Sequence, residues 1–369
     1  MEHLKVHNAP FVSWPAATGP RTARWLSAGH NPPPRRITPV GDRLAPAAAI
    51  RQASQGVAMA WPGGLGAARG LLSGMRRHWD RQPWTATGDP ATDFYRHRQD
   101  RRGRARILGM LLVELGPDLA DAVGSVYGAI DGPCVASLTD LLGVMSAHQW
   151  RLNGVPVPAL GARIHPHYGV FAPTRHEYVD LVAAMPIAGV DAAFDIGTGT
   201  GVLAAVLAKR GVDRVIATDV APAAVACARD NARRLGLADR VTVTRADLFP
   251  PGRADLVVCN PPWLPGTART TLDSAVFDKD SRMLTGFLHG LPQHLNPDGQ
   301  AWLVMSDLAE LLGLRSPTLL PRTFDDAGLE VVDRRDTPPG HPRSRAPGDP
   351  LAPYRAAERV SLWRLRLRG

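Results

Sequence analysis

Two short segments carry the residue types that can do chemistry. Asn260-Pro261-Pro262-Trp263 follows the apolar run Asp255-Leu256-Val257-Val258-Cys259, and reads as a buried strand ending in a rigid polar corner. Upstream, Ala192-Ala193-Phe194-Asp195-Ile196 opens into Gly197-Thr198-Gly199-Thr200-Gly201, a glycine turn between a strand and a helix. An amide or nucleobase amino nitrogen is a poor nucleophile because its lone pair is delocalised into the adjacent π system. Two acceptors pulling on its two N–H bonds bend it towards sp³ and free the lone pair for in-line attack on an electrophilic methyl group. The Asn260 side-chain oxygen is one such acceptor and the Pro261 carbonyl a second. Consecutive prolines fix φ and hold that carbonyl in place. Trp263 offers a flat face on which a planar acceptor stacks. Catalysis in such a corner is positioning plus preorganised dipoles, and it demands no strong base. The competing reading is a proline turn after a buried strand, with Trp263 in the core.

The pair of segments, in this order, resembles the class I S-adenosylmethionine-dependent methyltransferases, and within them the branch that methylates planar nitrogens. A dinucleotide fingerprint places glycines at its first, third and sixth positions, whereas here the sixth is Val202 and the third glycine is Gly201. This tighter turn suits an uncharged ribose and a methionine moiety rather than a pyrophosphate. The resemblance implies S-adenosylmethionine as cofactor, with Gly197, Thr198, Gly199, Gly201 and Asn260 around it. Asp195 is then suited to the cofactor's ammonium group and Asp219 to its ribose hydroxyls. Asp247 would accept from the adenine amino group, with Leu248 close to the ring. A further segment, Gly169-Val170-Phe171-Ala172-Pro173-Thr174-Arg175-His176-Glu177-Tyr178, resembles one in the glutamine methyltransferases of peptide chain release factors, and places Phe171, Pro173 and Thr174 against the cofactor. Those enzymes carry a glycine-rich stretch after the corner. This chain has Phe277-Asp278-Lys279-Asp280-Ser281-Arg282 instead, which leaves the acceptor open: a protein glutamine, an exocyclic amine of a nucleic-acid base, or a small molecule. A non-catalytic cofactor-binding protein would be expected to lose Asn260 or the glycine turn, and both are intact.

Elements able to position these residues follow from periodicity. Val215 to Thr218 reads as a second strand ending at Asp219, and 221–237 as the next helix. Val241-Thr242-Val243 is a third strand leading to Asp247. Beyond the corner, 284–295 reads as a helix, 301–305 as a buried strand, 308–314 and 318–326 as helices, and 330–333 with 360–365 as closing strands. The expected fold is therefore α/β, a Rossmann-like seven-stranded methyltransferase sheet with helices on both faces. A small helical region and a β-hairpin over 153–167 are expected to precede it. Residues 337–356, rich in Pro, Gly and Arg, read as a loop.

Composition bounds the rest. The 369 residues carry a net charge of +9, unevenly spread: residues 1–106 hold 17 Lys and Arg against 6 Asp and Glu. Residues 1–85 are rich in Pro, Ala and Gly with little periodicity, which predicts a disordered, dispensable extension. Residues 86–165 are expected to form the helical region and hairpin, and residues 166–369 the methyltransferase domain. Arg96, Arg98, Arg101, Arg102, Arg104 and Arg106 fall on one predicted helix. They are either a solvated face or contacts for nucleic-acid phosphates. Single scattered cysteines (Cys134, Cys227, Cys259) and the surface pair His165 and His167 suggest no metal site. No apolar run is long enough to span a membrane and no apolar leader opens the chain, so the expected location is cytoplasmic.

Overall fold

The computed structural model describes residues 8–17, 19–81, 84–340 and 349–369. The chain divides into two compact units, over residues 2–149 and 150–369.

The amino-terminal unit is built on six strands: β1 Phe11–Trp14, β2 Arg21–Leu26, β3 Arg36–Pro39, β4 Val57–Ala60, β5 Leu111–Glu114 and β6 Cys134–Ser137. They form one mixed sheet in the order β1-β2-β6-β5-β4-β3. Val12, Trp14, Trp25, Ile37, Leu112 and Val135 pack into one of its cores. The helix Leu65–Asp80 buries Leu71, Leu72 and Met75. This corrects two expectations. Residues 1–85 are not a disordered extension, since their described part supplies β1 to β4. Residues 86–165 are not a separate helical region, since they supply β5 and β6 to the same sheet. The Pro-, Ala- and Gly-rich composition concealed a few large residues, among them Trp14, Trp25 and Trp61, each nearly fully buried. Burial depends on where the apolar area is concentrated, not on its mean.

Deleting residues 1–85 removes β1 to β4 and uncovers Leu112 and Val135. The truncated amino-terminal unit is expected to lose cooperative unfolding and to bind a hydrophobic dye. Unchanged thermal unfolding of the truncated chain would show instead that this sheet contributes no stability.

The carboxyl-terminal unit opens with a hairpin, β7 Val155–Val157 and β8 Ala162–Ile164, paired antiparallel. Its main strands are β9 Ala192–Ile196, β10 Arg214–Asp219, β11 Val241–Arg245 and β12 Ala254–Cys259. A short parallel pair follows, β13 Leu264–Pro265 and β14 Phe277–Asp278. Then come β15 Leu295–Ser306, β16 Leu329–Thr337 and β17 Val360–Leu367. The seven-stranded sheet has the order β11-β10-β9-β12-β15-β17-β16. β9, β10, β11, β12 and β15 run parallel, and β17 lies antiparallel between β15 and β16.

Strands β9 and β12 read as continuous apolar runs because helices cover both faces. Alternate residues separate cleanly: Leu256, Val258, Trp302 and Val304 join the core under helix Val202–Lys209. Val257, Cys259, Leu303 and Met305 face helix Arg282–His294 on the other side. The expected fold class is the one observed. The connection at 337–356 is not wholly loop, since Ala352–Ala357 is helical; residues 341–348 lie outside the described residues. No helix among the described residues is long and apolar enough to cross a membrane.

Candidate active site

The chain leaves β9 through three glycines whose backbone conformations exclude most side chains. Gly197, Gly199 and Gly201 have φ of 71°, 54° and 82°. A Cβ on Gly197 would come 2.5 Å from Met283 Cε, and one on Gly201 would meet Ala228 at 3.1 Å. The turn therefore needs glycine for conformation and for close approach together.

Two carboxylates hold it. Asp195, only 1% exposed, accepts through Oδ2 from Thr198 Oγ1 at 2.6 Å and from the Ala204 amide at 2.9 Å. Asp219 accepts from the Gly199 amide at 3.0 Å through Oδ2 and from the Ala221 amide at 2.9 Å through Oδ1. Asp195 Oδ1, and a second lone pair on each Asp219 oxygen, remain for a ligand. Burial raises both acids, Asp195 to about 6.

β9, β10, β11 and β12 end at one edge of the sheet. There, where the strand order reverses across β9, lies a cavity of about 680 Å³. That size accommodates a nucleoside-sized ligand, and the carboxyl edge at a topological switch point is where such folds bind ligands. Phe171, Asp195, Gly197, Thr198, Gly199, Asp219, Asp247, Leu248, Asn260 and Pro262 line it. Leu248 has φ of 69°, an uncommon conformation for a bulky residue, and its carbonyl accepts from Thr218 Oγ1 at 2.5 Å. The stretch after the corner also occupies glycine-favouring conformations without glycine, since Asp280 and Ser281 have φ of 57° and 53°. Asp278 accepts from the amides of Met283 and Leu284, each at 3.1 Å, and so caps the next helix.

The structure departs from the sequence reading at several positions. Thr174 lies outside this cavity, in a second groove of about 1050 Å³ beside Glu177 and Arg335. Gly201 sits beneath the turn against Ala228 and does not line the cavity. Pro173 and Pro261 are buried and do not line it either; Pro262 does. Trp263 is turned away from the cavity. Its indole Nε1–H donates to Asn260 Oδ1 at 2.8 Å, and the Arg175 guanidinium lies 4.8 Å above its ring. His167 is not on the surface: it is buried, with Nε2 3.3 Å from Asp230 Oδ2, and burial lowers its pKa. Sequence reasoning missed Tyr178, Lys279, Arg282 and Met283 on the cavity wall. Only Tyr178 had a signal, at the second position of the helix Glu177–Ala184 that follows Pro173. Among the described residues, no group of three or more His, Cys, Asp or Glu is placed to hold a metal ion.

Asp195 gives this site a pH signature. The unliganded fold holds the Asp195 proton more tightly than the unfolded chain, so this group's contribution to stability falls as pH rises from about 4 to about 6, then levels. A cationic ligand group beside it requires the carboxylate. Affinity for S-adenosylmethionine is therefore expected to be constant above about pH 7 and to weaken up to tenfold per unit below about pH 6. Calorimetric titration across that range checks this, and a profile unchanged by Asp195→Asn would confine Asp195 to shaping the turn.

Residues 161–327 match the family model described as methyltransferase small domain. A release factor glutamine methyltransferase of Cereibacter sphaeroides is 32% identical over 171 residues, covering 40% of this chain and 60% of that protein. A putative protein N5-glutamine methyltransferase of Methanocaldococcus jannaschii is 28% identical over 162 residues, covering 42% of this chain and 80% of that protein. The ribosomal protein L11 methylase of Lactobacillus delbrueckii subsp. bulgaricus has a solved structure that superposes with a TM-score of 0.38 at 20% identity, over 56% of this chain and 86% of that one. The chain thus spans about three fifths of the first relative's length, and the matched region contains the cavity and strands β9 to β15 but not β16 and β17. Over residues 161–327 the carboxyl-terminal unit is similar to the methyltransferase small domain family, and in sequence to the release factor glutamine methyltransferases.

Proposed function

We propose that this chain binds S-adenosylmethionine and methylates a planar nitrogen, with the side-chain amide of a protein glutamine as acceptor. The observation that carries the reading is Asn260, whose side chain shares one cavity wall with Gly197, Asp195 and Asp219. The fit to the cofactor rests on the donor set. Asp195 and Asp219 each have lone pairs to spare beyond the turn, and both are raised by burial in a way a cationic or hydroxyl ligand relieves. Asp195 takes the ammonium group, Asp219 the ribose hydroxyls and Asp247 the adenine amine, with Phe171 and Leu248 supplying apolar wall. When bound, the cofactor supplies an electrophilic methyl group on a sulfonium.

Asn260 Oδ1 already accepts the indole N–H, so its remaining lone pair is the one that addresses an acceptor N–H. As the amide nitrogen pyramidalises, its N–H bonds become more acidic and that hydrogen bond strengthens, which lowers the barrier selectively. The nitrogen lone pair would form the new N–C bond as the S–CH3 bond of the sulfonium breaks and its electron pair returns to sulfur, leaving the neutral thioether, and the nitrogen would then lose a proton to water. The relatives named above act on proteins by their descriptions, which supports a protein acceptor.

One observation favours a second reading, a nucleic-acid acceptor. Helix Pro90–Leu108 carries six arginines, and its buried residues are Asp93, Phe94 and Leu108, at its two ends. Arg96, Arg101, Arg102 and Arg106 are exposed and suited to phosphate contacts. The deciding experiment supplies methyl-labelled S-adenosylmethionine to the purified chain with fractionated lysate. Label is expected in the protein fraction and to persist at raised salt. Label in RNA or DNA that falls steeply with salt would shift the assignment to the second reading, and no label in any fraction would end both.

A further inference from the structure

We propose that Arg175, Glu358, Ser306 and Arg315 form a closed positioning circuit that sets the orientation of the Asn260 amide through Trp263. Trp263 then acts from behind the corner and is not the stacking face for the acceptor. This rests on the reading that Asn260 addresses the methyl acceptor.

The circuit can be followed atom by atom. Trp263 Nε1–H donates to Asn260 Oδ1 at 2.8 Å. An indole nitrogen only donates, so this bond identifies which end of the amide is oxygen and pins it. The Trp263 carbonyl accepts from Arg315 Nη1 at 3.1 Å. Arg315, 6% exposed, also donates from Nη2 to the Ser306 carbonyl at 3.0 Å, and is gripped by Glu310 at 2.7 and 2.9 Å. Ser306, at the end of β15, donates its hydroxyl to Glu358 Oε1 at 2.6 Å. Glu358, 2% exposed, binds Arg175 Nη1 and Nη2, each at 3.2 Å. Arg175 returns to the start by lying 4.8 Å over the Trp263 ring, with its Nε donating to Glu177 Oε1 at 2.5 Å. Every charge in this ring is paired, which is the condition under which buried ions persist. A corner needing only a stable turn would be served as well by apolar packing behind it. A ring of paired charges instead fixes directions, because its bonds tolerate little rotation.

The test separates positioning from bulk stability. Trp263→Phe keeps a ring beneath Arg175 and deletes only the N–H. We expect cofactor affinity and acceptor KM to stay within about twofold while kcat falls at least about tenfold, since the lost interaction matters in the transition state. Wild-type kcat in this variant would overturn the proposal. A second arm needs no acceptor, so it remains readable if the proposed function fails. In ¹⁵N-tryptophan-labelled protein, the indole N–H signal that Trp263→Phe removes should exchange slowly with solvent in the parent chain. Glu358→Gln should accelerate that exchange at least about tenfold. Because removing one partner of a buried pair is destabilising, the neutral triple variant Arg175→Met, Glu177→Gln and Glu358→Gln, which removes both carboxylates that Arg175 pairs, is the control. It should recover the melting temperature of the parent but neither the slow indole exchange nor the turnover. Recovery of all three together would show that the circuit is only a stabilising pair.

Discussion

Replacing Asn260 with Ala is expected to leave cofactor affinity within about twofold and to reduce methyl transfer by roughly 10²–10³, the scale on which loss of one preorganised dipole lowers turnover. The reason lies in when the interaction is made. An acceptor amide in its planar ground state gains little from the Asn260 carbonyl beyond what water offers. As the nitrogen becomes tetrahedral its N–H bonds polarise, and the fixed oxygen then stabilises the transition state more than the ground state. Asn260 sits at the end of β12 with its oxygen already held by the Trp263 indole, so no reorganisation is needed during the reaction. Single-turnover transfer from labelled cofactor, combined with calorimetric binding of the demethylated product, reads both quantities. An Asn260→Ala protein with parental turnover would show that the corner is structural and that the chemistry lies elsewhere.

Asp219→Ala is expected to weaken S-adenosylmethionine binding by about 1.5–3 kcal/mol, roughly 10- to 150-fold in Kd. The carboxylate does two things at once. On the proposed reading its free lone pairs would accept from the ribose, while its bonded ones hold the amides of Gly199 and Ala221. Removing it deletes the ligand contacts and also releases the glycine turn from β10, so the loss should lie towards the upper end. Asp219→Asn should recover part of it, because the amide oxygen restores one acceptor. Titration calorimetry with each variant checks the order parent, Asn, Ala; equal affinities for all three would remove Asp219 from the binding site. Absence of cofactor binding by the parent chain would end the methyltransferase reading of the whole protein.

Some of this protein was legible because the physical demand was local. Gly197, Gly199 and Gly201 occupy left-handed conformations that few other residues adopt, so the turn announces itself in the chain. β9 and β12 are buried on both faces, and continuous apolar runs are their direct imprint. Asp195, Asp219 and Asp247 come near the ends of three parallel strands, and the sheet brings those ends to one edge. Once the order of elements is read, the position of the cavity follows.

The remainder depended on partners far away in the chain. The direction of the Trp263 side chain was not readable from Asn-Pro-Pro-Trp, because it is decided by Arg175, whose own partner Glu358 lies 183 positions further on. The placement of Thr174 in a different groove likewise depends on Arg335 and its neighbours at the end of β16. Strands β1, β3, β4, β5 and β6 are each four residues long, too short for a period of two to stand out from composition, and only pairing across the sheet makes them strands. Backbone conformation at a turn is a property of a few consecutive residues and is written in them. The orientation of a side chain at a corner is a property of whatever packs behind it, and only the folded chain brings those groups together.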